Sequence, residues 1–134
     1  MHTKREPEVR VQLEPRLEAL TDRIIGAAYQ VAVTLGHGFL EGVYKKALLK
    51  QFSIDGLAAA QEVCFRVEYC GELVGTYVAD VVVEGCVIVE LKAVDGLVQA
   101  HRAQLLNYLK ASRIPVGLLF NFGSPKLEIK RVLL

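Results

Sequence analysis

The pattern of apolar and polar residues divides the chain into segments with helical spacing and segments with strand spacing. Helical spacing runs from Thr21 to Leu35, from near Phe39 to about Ile54, and from about Val98 to Ser112. Strand-like segments cover residues 63–69, 77–83, 86–92, 116–121 and 127–132. The order of helix, helix, three strands, helix and two strands predicts an α/β sandwich, with helices flanking a mixed central sheet.

The same spacing predicts which helix faces are buried. In the second helix the predicted core stripe consists of Leu40, Val43, Ala47, Leu48 and Phe52. In the third helix it consists of Ala103, Leu105, Leu106 and Leu109. Glycine and proline residues near the ends of these segments mark the turns between the elements.

Three charged residues interrupt the most apolar segment, which runs from Tyr77 to Lys92. They are Asp80, Glu90 and Lys92, and the remainder of the segment is dense in valine and isoleucine. Such strands are typically buried on both faces, and an unpaired carboxylate in a sheet core costs several kcal/mol or more. The three charges therefore need a common explanation, which is a shared site.

The length of the turn at Glu84-Gly85 decides whether the two acids share a face. Side chains alternate along a strand, so Glu90 and Lys92 point the same way. A two-residue loop would put Asp80 on the opposite face, whereas an odd loop would bring it beside Glu90. We predict the odd loop, in the form of a type I turn followed by a left-handed Gly85 in a bulge.

Composition limits the classes of protein that fit this pattern. The 134 residues are 52% hydrophobic and 23% charged, which is typical of one globular domain. Residues 1–15 are charged and contain two prolines, so we expect a mobile N-terminal tail followed by a single domain over 16–134.

The net charge of +1 provides no global field for nucleic acid, so any such partner needs a local patch or a metal. Three cysteines without metal-ligand spacing suggest reduced thiols. We find neither an apolar run of membrane-spanning length nor a signal peptide, which predicts a cytoplasmic protein without a membrane partner.

Asp80 and Glu90, together with the backbone carbonyl of Leu91, form the hard oxygen set that Mg²⁺ prefers. A metal there would activate water and bind a phosphoryl oxygen, while Lys92 would orient the nucleophile or stabilise the developing charge. The alternative is structural: a Lys–Glu pair at the sheet end, with Asp80 capping the hairpin.

Two helices carry polar residues that could support such a site. On the second helix Glu41 and Tyr44 are spaced to share a face turned away from the Val43 stripe, although a solvated first turn would look the same. On the third helix His101, Gln104 and Tyr108 line one side, where they could hold phosphate oxygens or support a metal shell. The alternative is that this side of the third helix is an ordinary solvent-exposed surface.

Four motifs together resemble the GxxExxY family, a branch of the PD-(D/E)XK nuclease superfamily. In chain order they are Gly38-x-x-Glu41-x-x-Tyr44, Asp80, Glu90-Leu91-Lys92 and Gln104-x-x-x-Tyr108, and the similarity covers residues 20–133. The residue before Asp80 is Ala79, where the superfamily's name has proline.

The resemblance implies a restriction-endonuclease-like αβββαβ sandwich and a PD-(D/E)XK nuclease-like domain. It further implies that Asp80 and Glu90 hold a divalent metal, that Lys92 is catalytic, and that Glu41 lends a further carboxylate to the metal. Gln104 and Tyr108 would sit beside this site.

The leading functional prediction is a Mg²⁺- or Mn²⁺-dependent phosphodiester hydrolase that cleaves DNA or RNA by metal-activated water. Two alternatives stay open. One is a catalytically silent module that keeps the fold and pairs as a homodimer through an exposed strand edge. The other is a hydrolase of free nucleotides or other small phosphoesters.

Overall fold

The computed structural model describes residues 13–134, which form three helices and five strands. The helices are α1 (Pro15–Leu35), α2 (Glu41–Ile54) and α3 (Gln99–Ser112). The strands are β1 (Ala59–Tyr69), β2 (Glu72–Val83), β3 (Val87–Lys92), β4 (Val116–Asn121) and β5 (Glu128–Leu133). The predicted α/β order is confirmed. No helix within these residues is long and apolar enough to cross a membrane.

The strands form one mixed sheet in the order β1-β2-β3-β4-β5. Neighbouring strands are antiparallel except for β3 and β4, which are parallel and are connected through α3. Because β3 and β4 run in the same direction, their carboxyl ends lie at one edge of the sheet. In that register Lys92 at the end of β3 is level with Asn121 at the end of β4.

Two hydrophobic cores cover the two faces of the sheet. The face under α1 and α2 receives the β3 side chains Val87, Val89 and Leu91. The other face lies under α3, where Ile88 packs with Leu105 and Leu109. Since side chains alternate along a strand, Glu90 and Lys92 share the Ile88 face and point toward α3.

The β2–β3 hairpin has the odd loop that the shared face of the two acids requires. Val83 pairs with Val87, which leaves the three loop residues Glu84–Cys86 and confirms the predicted loop parity. The predicted conformation differs from the observed one. Both Glu84 (φ 52°) and Gly85 (φ 68°) are left-handed, as in a type I′ turn, whose twist matches that of hairpin strands.

The first helix begins earlier than the sequence predicts. The apolar pattern indicates a start at Thr21, but the helix starts at Pro15, a residue that fits the first helical position because no amide is needed there. Residues 1–12 of the predicted tail lie outside the described part of the chain. Within that predicted tail, Leu13 already packs against the core.

The buried face of α2 is rotated relative to the prediction. Its core residues are Tyr44, Leu48 and Phe52, whereas Leu40 and Val43 are 83% and 41% exposed. The rotation follows from Tyr44, whose ring stacks on Phe122 with centroids 4.7 Å apart. An apolar count that omits tyrosine therefore places Leu40 and Val43 in the core instead of Tyr44, whereas the predicted Leu48 and Phe52 are buried.

The hydroxyl of Tyr44 can be buried because it is fully hydrogen-bonded. It donates to the Gly36 carbonyl at 2.7 Å and accepts from the Phe39 amide at 3.2 Å. On α3, Leu105 and Leu109 are buried as predicted, whereas Ala103 is exposed. Apolar spacing therefore predicts the buried faces of both helices only in part.

Gly117 of β4 sets how closely α3 approaches the sheet. A Cβ atom at this position would lie 2.7 Å from Leu105 Cδ1 and 2.9 Å from its Cγ, and Leu105 is fully buried. We predict that Gly117→Ala lowers the free energy of unfolding by about 1–3 kcal/mol through overpacking, measured by urea denaturation. Gly26→Ala is the matched control, since a Cβ in that part of α1 meets nothing within 4 Å. It should raise stability by about 0.5–1 kcal/mol, and equal effects of the two changes would contradict the prediction.

Candidate active site

The site is built where the β2–β3 ladder stops. Backbone pairing ends at Val81 and Val89, and the next facing positions are Asp80 and Glu90. There the carboxylates act as acceptors: the Asp80 amide donates to Glu90 Oε1 at 2.9 Å, and the Leu91 amide donates to Asp80 Oδ2 at 3.1 Å. Each acid thus binds an amide of the opposite strand. The predicted meeting of the two carboxylates is observed.

Glu90 lies in an environment that disfavours its charge. Its side chain is almost completely buried, and the residue is only 5% exposed. Burial, followed by the charge and side-chain hydrogen bond of Asp80, raises the pKa of Glu90 to about 9, and Lys92 acts in the opposite direction. In the absence of a compensating cation, this pair therefore retains a proton.

Lys92 is held by α3 and not by the carboxylates. Its Nζ donates to Gln104 Oε1 at 3.3 Å, and Gln104 Nε2 donates to the Tyr108 hydroxyl at 3.3 Å. Burial and then the charges of Glu90 and Asp80 raise the pKa of Tyr108, which places its ring near the acids. The predicted Gln104–Tyr108 motif therefore lies beside the pair.

Glu41 stands at the start of α2, on the outer side of the site. Burial and then the charge of Asp80 raise its pKa, while Lys92 and Lys45 lower it. Across residues 13–134, no group of three or more His, Cys, Asp or Glu residues is arranged to hold a metal. Glu41 thus lies within electrostatic reach of Asp80 and of Lys92.

Two other predicted site residues contribute differently from what the sequence suggests. Tyr44 does not share an outward face with Glu41, because its side chain is fully buried in the core. His101 caps α3, since its Nδ1 accepts a hydrogen bond from the Val98 amide at 3.1 Å. It occupies the first turn of α3, whereas Gln104 and Tyr108 lie further along the same helix.

Three residues behind the site were not identified from the sequence, namely Asn121, Gly123 and Glu128. Asn121 is completely buried at the end of β4, and its side chain bonds the backbone of Val94 and the side chain of Glu128. Gly123 packs directly against the Val94 backbone. The available signal is the polar Asn121 at the end of an otherwise apolar strand, although a polar residue is also typical of an ordinary strand end.

The carboxylate oxygens of Asp80 and Glu90 are suitable ligands for a divalent cation. The ion pairs in the described part of the chain are Lys45–Glu62 and Arg131–Glu18, so neither Asp80 nor Glu90 is in direct contact with a basic side chain. Two adjacent carboxyl groups, one of them buried, offer hard oxygen ligands and have no basic side chain in direct contact. The residues present therefore fit a Mg²⁺ or Mn²⁺ ion.

The fold and site define an α/β protein in which two strand-borne acids and a lysine meet at one edge of a mixed sheet. A family model of the PD-(D/E)XK nuclease superfamily matches residues 18–132. This match spans most of the chain, so the protein belongs to the PD-(D/E)XK nuclease superfamily.

Comparison with solved structures supports the fold. The chain is similar to the crystal structure of SSO0001, with a TM-score of 0.57 and 17% sequence identity, over 88% of this chain and 59% of that one. The protein therefore spans 59% of the length of that structure, and at this identity the likeness concerns the fold alone. No curated protein matches the chain.

The raised pKa of Glu90 predicts a specific pH dependence of stability in metal-free buffer. The folded protein keeps the Glu90 proton up to about pH 9, whereas an unfolded glutamate loses it near 4.5. Because the folded state binds more protons over that range, the free energy of unfolding should fall as pH rises through it. Glu90→Gln should flatten this slope in denaturation measured from pH 5 to about pH 9.

The matched control is Glu84→Gln, which removes an exposed carboxylate from the hairpin turn. It should leave the slope as in the unchanged protein. Parallel stability curves for Glu90→Gln and the unchanged protein would show that Glu90 is not the titrating group.

Proposed function

We propose that this chain is a divalent-metal-dependent phosphodiester hydrolase that acts on nucleic acid. The observation that carries the proposal is the meeting of Asp80 and Glu90 at the end of the β2–β3 ladder, with Lys92 on the same face. Superfamily membership supports nuclease chemistry, but a fold alone does not fix a function. The proposal therefore depends on the site residues.

Asp80, Glu90 and the Leu91 carbonyl would hold Mg²⁺ or Mn²⁺. A bound divalent ion supplies Lewis acidity to phosphoryl oxygens and makes water a better nucleophile at neutral pH. The protein's own contribution is to keep the two carboxylates together. The Asp80 and Leu91 amides, each bonded to the acid of the opposite strand, fix their orientation.

Lys92 is the proposed catalytic cation. It lies two residues beyond Glu90 on the same strand, so both side chains face the same side of the sheet. Its ammonium group would orient the attacking water or stabilise charge that develops on the phosphate. Gln104 holds the ammonium group through its amide oxygen, and the Tyr108 hydroxyl in turn accepts from the Gln104 amide.

Glu41 is proposed to add a third negative charge at the edge of the pocket. Burial, followed by the charge of Asp80, raises the pKa of Glu41. We further propose membership of the GxxExxY branch, because Gly38, Glu41 and Tyr44 stand at the motif spacing ahead of Asp80. Within that motif the role we assign to Tyr44 is structural: it anchors α2 and so places Glu41.

Exposed basic residues on the two helices beside the site would bind the phosphate backbone. They are Lys46, Lys50, Arg102, Lys110 and Arg113. Lys45 is ion-paired with Glu62 and is less available. With a net charge of +1, the protein should bind nucleic acid weakly and with a strong dependence on salt.

The test is cleavage of single- and double-stranded DNA and RNA, with nucleoside triphosphates as a further substrate, in Mg²⁺ or Mn²⁺. Lys92→Ala should lower kcat by at least about 100-fold while calorimetric metal binding is retained, because the lysine acts on charge in the transition state. Glu90→Gln should weaken metal binding as well as cleavage. Lys130→Ala, an exposed change on β5 outside the proposed phosphate-binding residues, is the matched control and should keep kcat.

Cleavage that survives both Glu90→Gln and Lys92→Ala would indicate a contaminating nuclease. If neither cleavage nor metal binding is found, the silent module is favoured over an enzyme. Hydrolysis restricted to the triphosphates would replace nucleic acid with a small phosphoester as the substrate.

A further inference from the structure

A cluster centred on the buried Asn121 lies behind the proposed active site, at the carboxyl ends of β3 and β4. It consists of Asn121, Gly123 and Glu128, and it holds the loop 93–98 that leads from Lys92 to α3. We infer that Asn121 is a positioning residue for Lys92. This inference rests on the proposed function, because it concerns the same site.

All four hydrogen-bonding capacities of the Asn121 side chain are used. Its Oδ1 accepts from the Val94 amide and from the Gly123 amide, each at 3.0 Å. Its Nδ2 donates to the Val94 carbonyl at 2.9 Å and to Glu128 Oε1 at 2.8 Å. Because the completely buried side chain bonds both the N–H and the carbonyl of Val94, it holds the Val94 backbone in place.

Gly123 holds the same loop by close packing. A Cβ atom at this position would lie 2.3 Å from both the amide nitrogen and the carbonyl oxygen of Val94, and 2.6 Å from the Ala93 carbonyl carbon. In addition, the Phe122 amide donates to the Lys92 carbonyl at 2.9 Å. The backbone that follows Lys92 is thus fixed by the last residue of β4 and the two residues after it.

Glu128 extends the cluster to the start of α3. Its Oε1 accepts from Asn121 and also from the Leu97 amide at 3.2 Å, two residues before the helix begins. These hydrogen bonds, with the one from Asn121 as the largest cause, lower the pKa of Glu128 and favour its charged form. The carboxylate therefore fixes the chain at the point where it enters α3.

Both partners of the Lys92–Gln104 contact depend on this arrangement. Lys92 lies at one end of the held loop, and Gln104 lies in the second turn of the helix at the other end. A shift of the loop would move the two groups relative to each other. Misplacement by about 1 Å can lower the rate of an enzymatic reaction by about 100-fold, because the reacting geometry is lost.

The test is a double-mutant cycle between Asn121→Ala and Lys92→Ala. We expect Asn121→Ala alone to lower kcat by about 10- to 100-fold, with KM and the calorimetric Kd for Mg²⁺ changed by less than about twofold. In the Lys92→Ala background it should have little further effect, because the positioned group is already absent. Asn107→Ala, an exposed asparagine on α3, is the matched control.

A second comparison keeps the inference testable if Asn121→Ala does not fold. Asn121→Asp keeps the acceptor for the Val94 amide but puts two carboxylates in contact. Adding Glu128→Gln replaces this contact with a donor and acceptor pair, whereas the hydrogen bond to the Val94 carbonyl stays absent in both variants. The double variant should therefore recover part of the kcat that Asn121→Asp loses. Hydrogen exchange of amides 93–98 should become faster in Asn121→Asp and slow again in the double variant.

The outcomes separate the two proposals. If the unchanged protein cleaves and binds metal but Asn121→Ala keeps its kcat, the inference fails and the proposed function stands. Full additivity with Lys92→Ala would also overturn the inference, since a purely structural role predicts it. If the unchanged protein neither cleaves nor binds metal, the proposed function fails and the inference fails with it.

Discussion

The site depends on a break in one pair of strands. Where the β2–β3 ladder stops, Asp80 and Glu90 accept hydrogen bonds from amides of the opposite strand. This arrangement satisfies amides that would otherwise be unpaired in the sheet, and it holds two carboxyl groups against each other. The hydrogen bonds that pair these backbone amides therefore also bring the two carboxyl groups together. In that position the carboxyl groups need a proton or a cation between them.

The surrounding structure keeps this unfavourable pair in place. The two cores fix the sheet on both faces, so the hairpin cannot relax by turning one acid to the other side. Gly117 sets the approach of α3, and the Asn121 cluster holds the loop that enters this helix. The stability gained in these regions offsets the cost of a glutamate that is not readily ionised in the folded protein.

The sequence is informative about the strands because valine-rich runs seldom form other structures. Three charged residues within such runs indicate a shared site. It also predicted the odd hairpin loop, although not its type I′ conformation, since left-handed Glu84 gives no composition signal. Helix rotation was harder to predict. Tyr44 is buried through a stacked ring and a fully bonded hydroxyl, which apolar spacing does not detect.

Asn121 could not be assigned from the sequence because its partners are distant in the chain. Val94 lies 27 residues away, and the contact exists only because β3 and β4 are parallel neighbours. The acids, in contrast, lie within one hairpin, so strand alternation and an odd loop bring them together. The local sequence pattern therefore predicts the two acids, whereas only the three-dimensional fold reveals the contacts of Asn121.

The most direct measurement of the central claim is anomalous diffraction from a crystal soaked in Mn²⁺. The account predicts one peak that lies about 2.1 Å from carboxylate oxygens of both Asp80 and Glu90. In a Glu90→Gln crystal soaked in the same way, the peak should be lost or much weaker. A crystal of the unchanged protein with no peak between the two acids, or with Asp80 turned to the opposite face, would contradict it.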